Sequence, residues 1–223
     1  MKTKSIFVIF FSSPFITGKM IRKYTKNLYN HVAVSLDKNL TKVYSFSRYN
    51  LDNPLYAGFV QESLLRYNYK GKEALIKICE IPISDKEYNN ILKYISKIKD
   101  NQKEYIYNFY SASAYMFSKK IEINKAYICV EFAIKILNKY VSKIKLEKGK
   151  FYSIKDLEGI LNEYVTFEGK ISDLLIKYNW DDDEFLIKRN IIIRAGYVLT
   201  NHSKLTYRLI RKNFKRGKNN GKN

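Results

Sequence analysis

One thiol and one imidazole carry most of the chemistry in this sequence: Cys129, in Tyr127-Ile128-Cys129-Val130-Glu131-Phe132, and His31, in Asn30-His31-Val32-Ala33-Val34. A thiol reacts as its thiolate. An imidazole that takes the thiol proton and later returns it to a leaving group lets such a pair break an acyl bond through a covalent intermediate. A third polar group must then hold the ring in the right tautomer. With two His and two Cys in the chain there is no zinc-site spacing, and neither a Walker loop nor G-x-G-x-x-G is present. No cofactor and no metal is expected.

The elements around these residues decide whether they can meet. Cys129, Phe132, Ala133, Ile136 and Leu137 recur at helical spacing and predict an amphipathic helix to about Tyr140. The thiol opens its buried stripe. A cysteine in a first helical turn has backbone N–H groups and the positive end of the helix dipole beside it, which favour the thiolate. A Cys on an apolar stripe is also ordinary core filling, and Cys79, in mid-strand without a helix dipole, is read that way.

His31 to Leu36 alternates, with Val32, Val34 and Leu36 on one side and His31, Ala33 and Ser35 on the other. Asp37-Lys38-Asn39 is turn chemistry, and Lys42 to Ser47 reads as the returning strand of a hairpin. A three-residue loop would pair Leu36 with Leu40 and set Ser45 opposite His31. His202, within Thr200-Asn201-His202-Ser203-Lys204, reads as part of an exposed loop rather than as the base.

The remaining elements follow from local pattern. Ile6 to Phe11 predicts a strand covered on both faces, and Thr17 caps a helix to about Asn27. Tyr49 to Gly58 is a loop, Phe59 to Tyr67 is ambiguous, and Glu73 to Pro82 is a strand. Ser84-Asp85-Lys86-Glu87 is a capping box opening a helix to about Lys99, with Tyr88, Ile91, Leu92, Ile95 and Ile98 as its inner stripe. Tyr105 to Phe117 reads as helical, and Ser153 with Asp156 starts a helix to about Asn162. Trp180 to Glu184 is an acidic loop or helix start, and Phe185 to Leu199 fits strand or helix. From Arg211 the Lys-, Asn- and Gly-rich run reads as a disordered basic tail.

Length and composition fit a single globular domain with a full core. The net charge of +20 would ordinarily suggest nucleic acid. The basic residues are spread along every element, however, and the excess of Lys, Asn, Ile and Tyr has the look of a global compositional bias. Nucleic acid is discounted on that ground, while peripheral membrane contact stays open. Lys2 and Lys4 ahead of an apolar run copy a signal peptide superficially, but Ser12-Ser13-Pro14 leads into another patterned segment, so the run is read as a buried strand and the chain as cytoplasmic. No stretch approaches the roughly 18 apolar residues of a spanning helix.

Asn30-His31-Val32-Ala33-Val34-Ser35-Leu36 resembles the histidine strand of the NlpC/P60 superfamily, and Cys129-Val130-Glu131-Phe132 resembles its Cys-x-x-Phe helix start. In common members the Cys helix precedes the His strand. Here His31 comes first, an order similar to that of the circularly permuted papain-like branch, the YiiX/YebB-like cysteine hydrolases. The resemblance spans Ile6 to Tyr140. It implies an α+β fold with an antiparallel sheet and a nucleophile-bearing helix packed at its edge, with Cys129 as nucleophile and His31 as general base and acid. It also implies cleavage of an amide or another acyl bond in a peptide, a peptidoglycan fragment or an acyl lipid, with acyl transfer as a variant. YiiX-like members carry a glutamate on the strand after the histidine, where this sequence has Ser45. Ser45 is therefore the candidate orienting residue, with Asp37 and Glu62 as alternatives. The oxyanion would be met by the backbone N–H of Cys129.

The expected architecture is one α+β domain over residues 1–210, in which 165–210 is an elaboration, followed by the tail at 211–223. The competing reading is a catalytically inactive module whose basic surface binds an acidic polymer or a lipid headgroup.

Overall fold

A computed structural model describes residues 4–69, 72–147, 149–175, 185, 187 and 189–220. The apolar run at the start becomes β1 (Lys4–Ser12), a strand buried on both faces as its β-branched and aromatic composition predicts. Ile6, Val8 and Phe10 enter one core, and Phe7, Ile9 and Phe11 enter a second on the opposite side of the sheet. Around it run β2 (His31–Ser35), β3 (Val43–Arg48), β4 (Ala57–Glu62) and β7 (Leu75–Ile83). Two-residue strands β5 (Asn68–Tyr69) and β6 (Lys72–Glu73) form a separate ribbon. The main sheet is completed by β8 (Ile106–Tyr107), β9 (Ala126–Tyr127) and β10 (Val165–Lys170), in the order β10-β7-β1-β2-β3-β4-β8-β9.

The class is α+β, but the sheet is larger than the small antiparallel one expected. It has eight strands and is mixed, because β8 and β9 are parallel. Of the segments that looked ambiguous, Phe59 to Tyr67 resolves into the end of β4 and a 3₁₀ turn at Leu64–Tyr67, which seals the second core together with Ala74 and Ile171.

Helix α1 (Ile16–Thr25) starts one residue before Thr17, and its N-cap is Phe15, two before, with no side-chain cap. Helix α2 (Asp85–Asp100) carries the expected Ser84/Glu87 capping box. It buries Ile91, Ile95 and Ile98, while Leu92 turns out to be half-exposed. Tyr105 to Phe117 is not one helix. Asn108 caps α3 (Phe109–Tyr115) through the N–H of Ser111, and the residues before it pair as β8.

Helix α4 (Cys129–Tyr140) has the bounds its stripe predicts, and Phe132, Ala133, Ile136 and Leu137 are fully buried. It lies not at the sheet edge but across the central strands β2 and β3, on the Val32/Val34 face. The Ser153/Asp156 box opens α5 (Ile154–Ile160), and α6 (Ser172–Leu175) follows β10.

The acidic Trp180 to Glu184 stretch lies outside the described residues. From Ile191 the chain is helical through Asn220, as α7, so residues 211–220 are not a disordered tail. Lys and Arg are good helix formers, and the helix is anchored by Leu205, fully buried against Ile106, Ile123 and Ala126. No described helix is long and apolar enough to cross a membrane.

Candidate active site

The hairpin between β2 and β3 sets the geometry, and its register differs from the expected one. Val34 pairs with Tyr44 and Ser35 with Val43, so Ser45 does not face His31. The reason is local. The Asp37 carboxylate accepts the N–H groups of Asn39 (3.0 Å) and Thr41 (2.9 Å), and the Thr41 hydroxyl as well, so the loop runs on to Thr41. Leu40 takes a left-handed φ of 55° inside it. Asp37 is spent on this turn and lies away from the imidazole, which removes it as an orienting residue.

His31 is the first residue of β2 and pairs with Phe11 of β1. Its ring lies against those of Phe11 (5.7 Å between centroids) and Tyr67 (6.0 Å). Nε2 meets Oε1 of Glu62 at 2.9 Å. The carboxylate that holds this imidazole is Glu62, the last residue of β4, one of the alternatives to Ser45. The Ser45 hydroxyl donates to the same Glu62 oxygen, the Tyr67 hydroxyl donates to Oε2, and the Arg66 guanidinium lies 3.8 Å from Oε2. In the sequence Glu62 falls in the ambiguous Phe59 to Tyr67 segment and stands only as an alternative to Ser45. The signal available was parity: once Ala57–Glu62 is a strand, Gly58, Val60 and Glu62 share a face, and Val43 pairs with Glu62 while Ser45 pairs with Val60.

Glu62 reaches His31 past β3, the strand between β2 and β4. Neighbouring strands are ~4.8 Å apart, so β2 and β4 are separated by about twice that, and the His31 ring and the Glu62 side chain together bridge the gap. Ser45, fully buried, is small enough to leave the path open and supplies a donor along it.

Cys129 is the first residue of α4, and its thiol shares one cavity wall with the His31 imidazole, near enough to raise the imidazole pKa. Because Glu62 holds Nε2, Nδ1 is the ring nitrogen left for another partner. The Glu131 carboxylate accepts the Ile128 N–H (3.0 Å) and the Ser111 hydroxyl, which fixes the start of the helix. Ile128 has no polar side-chain atom, so this cap comes from Glu131 alone. The N–H groups of a first helical turn have no partner within the helix, so those of Cys129 and Val130 point outward beside the sulfur.

Burial alone would lower the His31 pKa. The Glu62 carboxylate and Cys129 override it, and the imidazole titrates well above its ordinary range. Burial works against the Glu62 charge as well, yet His31, Arg66 and the Ser45 hydroxyl hold that carboxyl below its usual range. Tyr67 and Tyr107 are pushed up, mainly by burial, and stay neutral phenols.

Cys129 and His31 open together into a cavity of about 310 Å³ that Ser47, Arg48, Arg66 and Tyr107 also line. A larger cavity, about 690 Å³, lies on the other side of α4. Among the described residues its walls hold the ion pairs Lys120–Glu122 and Lys150–Glu147 and neither Cys nor His.

The other candidates fall away from this centre. Cys79 is fully buried in β7, and burial pushes its thiol up to about 12, which fits core filling. His202 is on helix α7 rather than in a loop, and its ring stacks on Phe109 at 5.3 Å. Comparisons with protein-family models, with curated proteins and with solved structures find no match.

Proposed function

We propose that the protein is a cysteine hydrolase of the circularly permuted papain-like kind, acting through Cys129, His31 and Glu62. The observation that carries this reading is a buried imidazole held by a carboxylate at Nε2 and sharing the wall of one cavity with a helix-start thiol. The order of parts supports the permuted fold: the strand bearing the base comes first, and the helix bearing the nucleophile follows and packs on it.

In this mechanism the thiol proton rests on His31 at Nδ1 before attack, as a ring that titrates high favours, and the Cys129 sulfur attacks the acyl carbon as the thiolate. The carbonyl oxygen becomes an oxyanion and meets the N–H of Cys129, where the positive end of the helix adds to its stabilisation. Collapse breaks the bond to the leaving group, which receives the proton from His31, and leaves a thioester on Cys129. His31 then takes a proton from water, which attacks the thioester and releases the acid. Transfer to another nucleophile replaces water in an acyltransferase. Glu62 holds Nε2–H throughout and stabilises the imidazolium as it forms. The substrate class is an amide, peptide or isopeptide-like, or another acyl bond.

The test is covalent labelling followed by turnover. Iodoacetamide at neutral pH is expected to add one carbamidomethyl group, located at Cys129 by peptide mass spectrometry, and His31→Gln is expected to slow that labelling by at least about a hundredfold. An amide or thioester acyl reporter should leave an acyl adduct on Cys129 in wild type and none in Cys129→Ala. Equal labelling rates for wild type and a folded His31→Gln variant would overturn the assignment.

A further inference from the structure

Helix α7 is inside out. Its polar side faces the domain: Arg208 donates to the carbonyls of Glu104 and Asn124 (both 3.0 Å), Lys204 to that of Lys103 (3.2 Å) and Lys212 to that of Glu122. Asn201 and Leu205 are buried in the same seam. The apolar side faces solvent. Ile192, Leu199, Tyr207, Ile210 and Phe214 are between 49% (Ile210) and 76% (Ile192) exposed. At 100° per residue these five fall within about 80° of one another. The positions between them in that sector, Gly196 and Ser203, are uncharged, as are Ala195 and Thr206 at its margin. A continuous apolar stripe this long on a solvent-facing helix marks a surface that something covers.

The charge of the helix selects the cover. From Ile191 to Asn220 the sequence has eight Lys and Arg and no Asp or Glu. A second copy of this chain laid on the stripe would bring two wholly basic helices together with no acid to offset them. A nucleic acid would satisfy the Lys and Arg through its phosphates but would gain nothing from Ile, Leu and Phe. Lys204, Arg208 and Lys212 are held by the domain, which leaves exposed Arg211 beside the stripe and the net charge of +20 to meet an anionic surface, so a bilayer rich in anionic headgroups rewards both features at once, inserted apolar side chains and positive charge above them. We propose that α7 is a membrane-surface helix that lies in the interface of an anionic bilayer, with the Ile192–Phe214 stripe inserted. This docking is independent of the thiol chemistry.

Flotation of the full chain with vesicles tests it. The protein is expected to float with phosphatidylcholine–phosphatidylserine vesicles, and to bind pure phosphatidylcholine at least about tenfold more weakly. Binding to the mixed vesicles should weaken with added salt without vanishing. The double variant Ile210→Gln/Phe214→Gln changes no charge and keeps good helix formers at solvent-facing positions. It should lose at least about tenfold in vesicle affinity, with far-UV circular dichroism and melting temperature unchanged. Leu199→Gln, two turns or more away along the same stripe, should show the same loss. Failure of the wild type to float would overturn the proposal, as would retention of binding in the folded Gln variants. So would a self-associating wild type that does not float and becomes monomeric in the Gln variants, since the cover would then be a second copy. Binding to duplex DNA that the Gln variants leave intact, with no flotation, would overturn it in favour of phosphate recognition alone.

Discussion

Glu62→Gln isolates the charge that holds the base. The amide has nearly the shape of the carboxylate, and its oxygen can still accept from His31 Nε2 and from the Ser45 hydroxyl. Its NH₂ then faces the Tyr67 hydroxyl, which must turn round and accept, and Arg66 loses the charge that lay 3.8 Å away. A hydrogen bond to a charged group contributes ~1.5–3 kcal/mol against about 1 for a neutral one, so the imidazolium loses ~1–2 kcal/mol of support. At 1.4 kcal/mol per decade that is about five- to thirtyfold in the rate of Cys129 alkylation and in kcat/KM for an acyl reporter. The alkylation assay is clean, because Cys79 is fully buried with its thiol pushed up to about 12 and stays silent in the native fold. Stability carries a second signature. The Glu62 pKa is lowered on folding, so its contribution is present above the ordinary carboxylate range and is lost as pH falls through the depressed value. The His31 pKa is raised, so its contribution is full below the ordinary imidazole range and is lost as pH rises through the elevated value. The melting-temperature gap between wild type and Glu62→Gln should therefore be widest in the mid-pH range and close at strongly acid pH, where a protonated Glu62 resembles Gln. Identical alkylation rates and identical pH profiles for the two proteins would refute the role given to Glu62.

Ser45 and Cys79 give further contrasts. Ser45→Ala removes one donor from Glu62 while leaving the path past β3 open, so alkylation should stay within about threefold of wild type at a cost of ~1 kcal/mol in urea denaturation. Ser45→Val fills that path with a branched side chain, and overpacking of ~1–3 kcal/mol should fall on the His31–Glu62 contact, with alkylation slowed at least tenfold. Equal rates for the two Ser45 variants would contradict the clearance argument. Cys79→Ala should cost ~1–2 kcal/mol of stability, as a buried large-to-small change, and leave the alkylation rate of Cys129 unchanged.

Much of this was legible wherever the determinant is local. The α4 stripe, the Ser84 and Ser153 capping boxes and the doubly buried β1 each depend on residues within one or two turns or one short run, and each forms where the pattern places it. What stayed hidden depends on contacts far apart in sequence. Glu62 becomes the partner of His31 only after β3 and β4 are in register, and that register turns on an Asp37 side chain that lengthens the hairpin loop. Leu92 sits at the margin of the α2 stripe, and only the packing of α2 against β1 and α4 shows it to be half-exposed. The run from Arg211 has the composition of a tail, but it continues a helix already docked through Leu205, so propagation rather than nucleation decides its state.

The parity of β2 poses a problem that the site resolves in an unusual place. Helix α4 packs on the Val32/Val34 face, whereas His31 alternates with them and lies with Phe11 and Tyr67 over the other core. A thiol on one face of a continuous sheet cannot meet an imidazole on the other. The β2–β3 ladder, however, stops at Val34–Tyr44, and His31 and Ser47 lie beyond it. The cavity at this open end is lined by Phe46 from the α4 face together with His31 and Ser47 from the opposite one. The thiol and the imidazole therefore draw their support from separate cores: Cys129 from the packing of α4, and His31 from Glu62, Ser45 and Tyr67 on the far side. Substitutions among Glu62, Ser45 and Tyr67 can then retune the base without moving the helix that carries the thiol. Under this arrangement the expected losses belong in the rate and pH profile of Cys129 alkylation, with the helical signal of α4 unaltered.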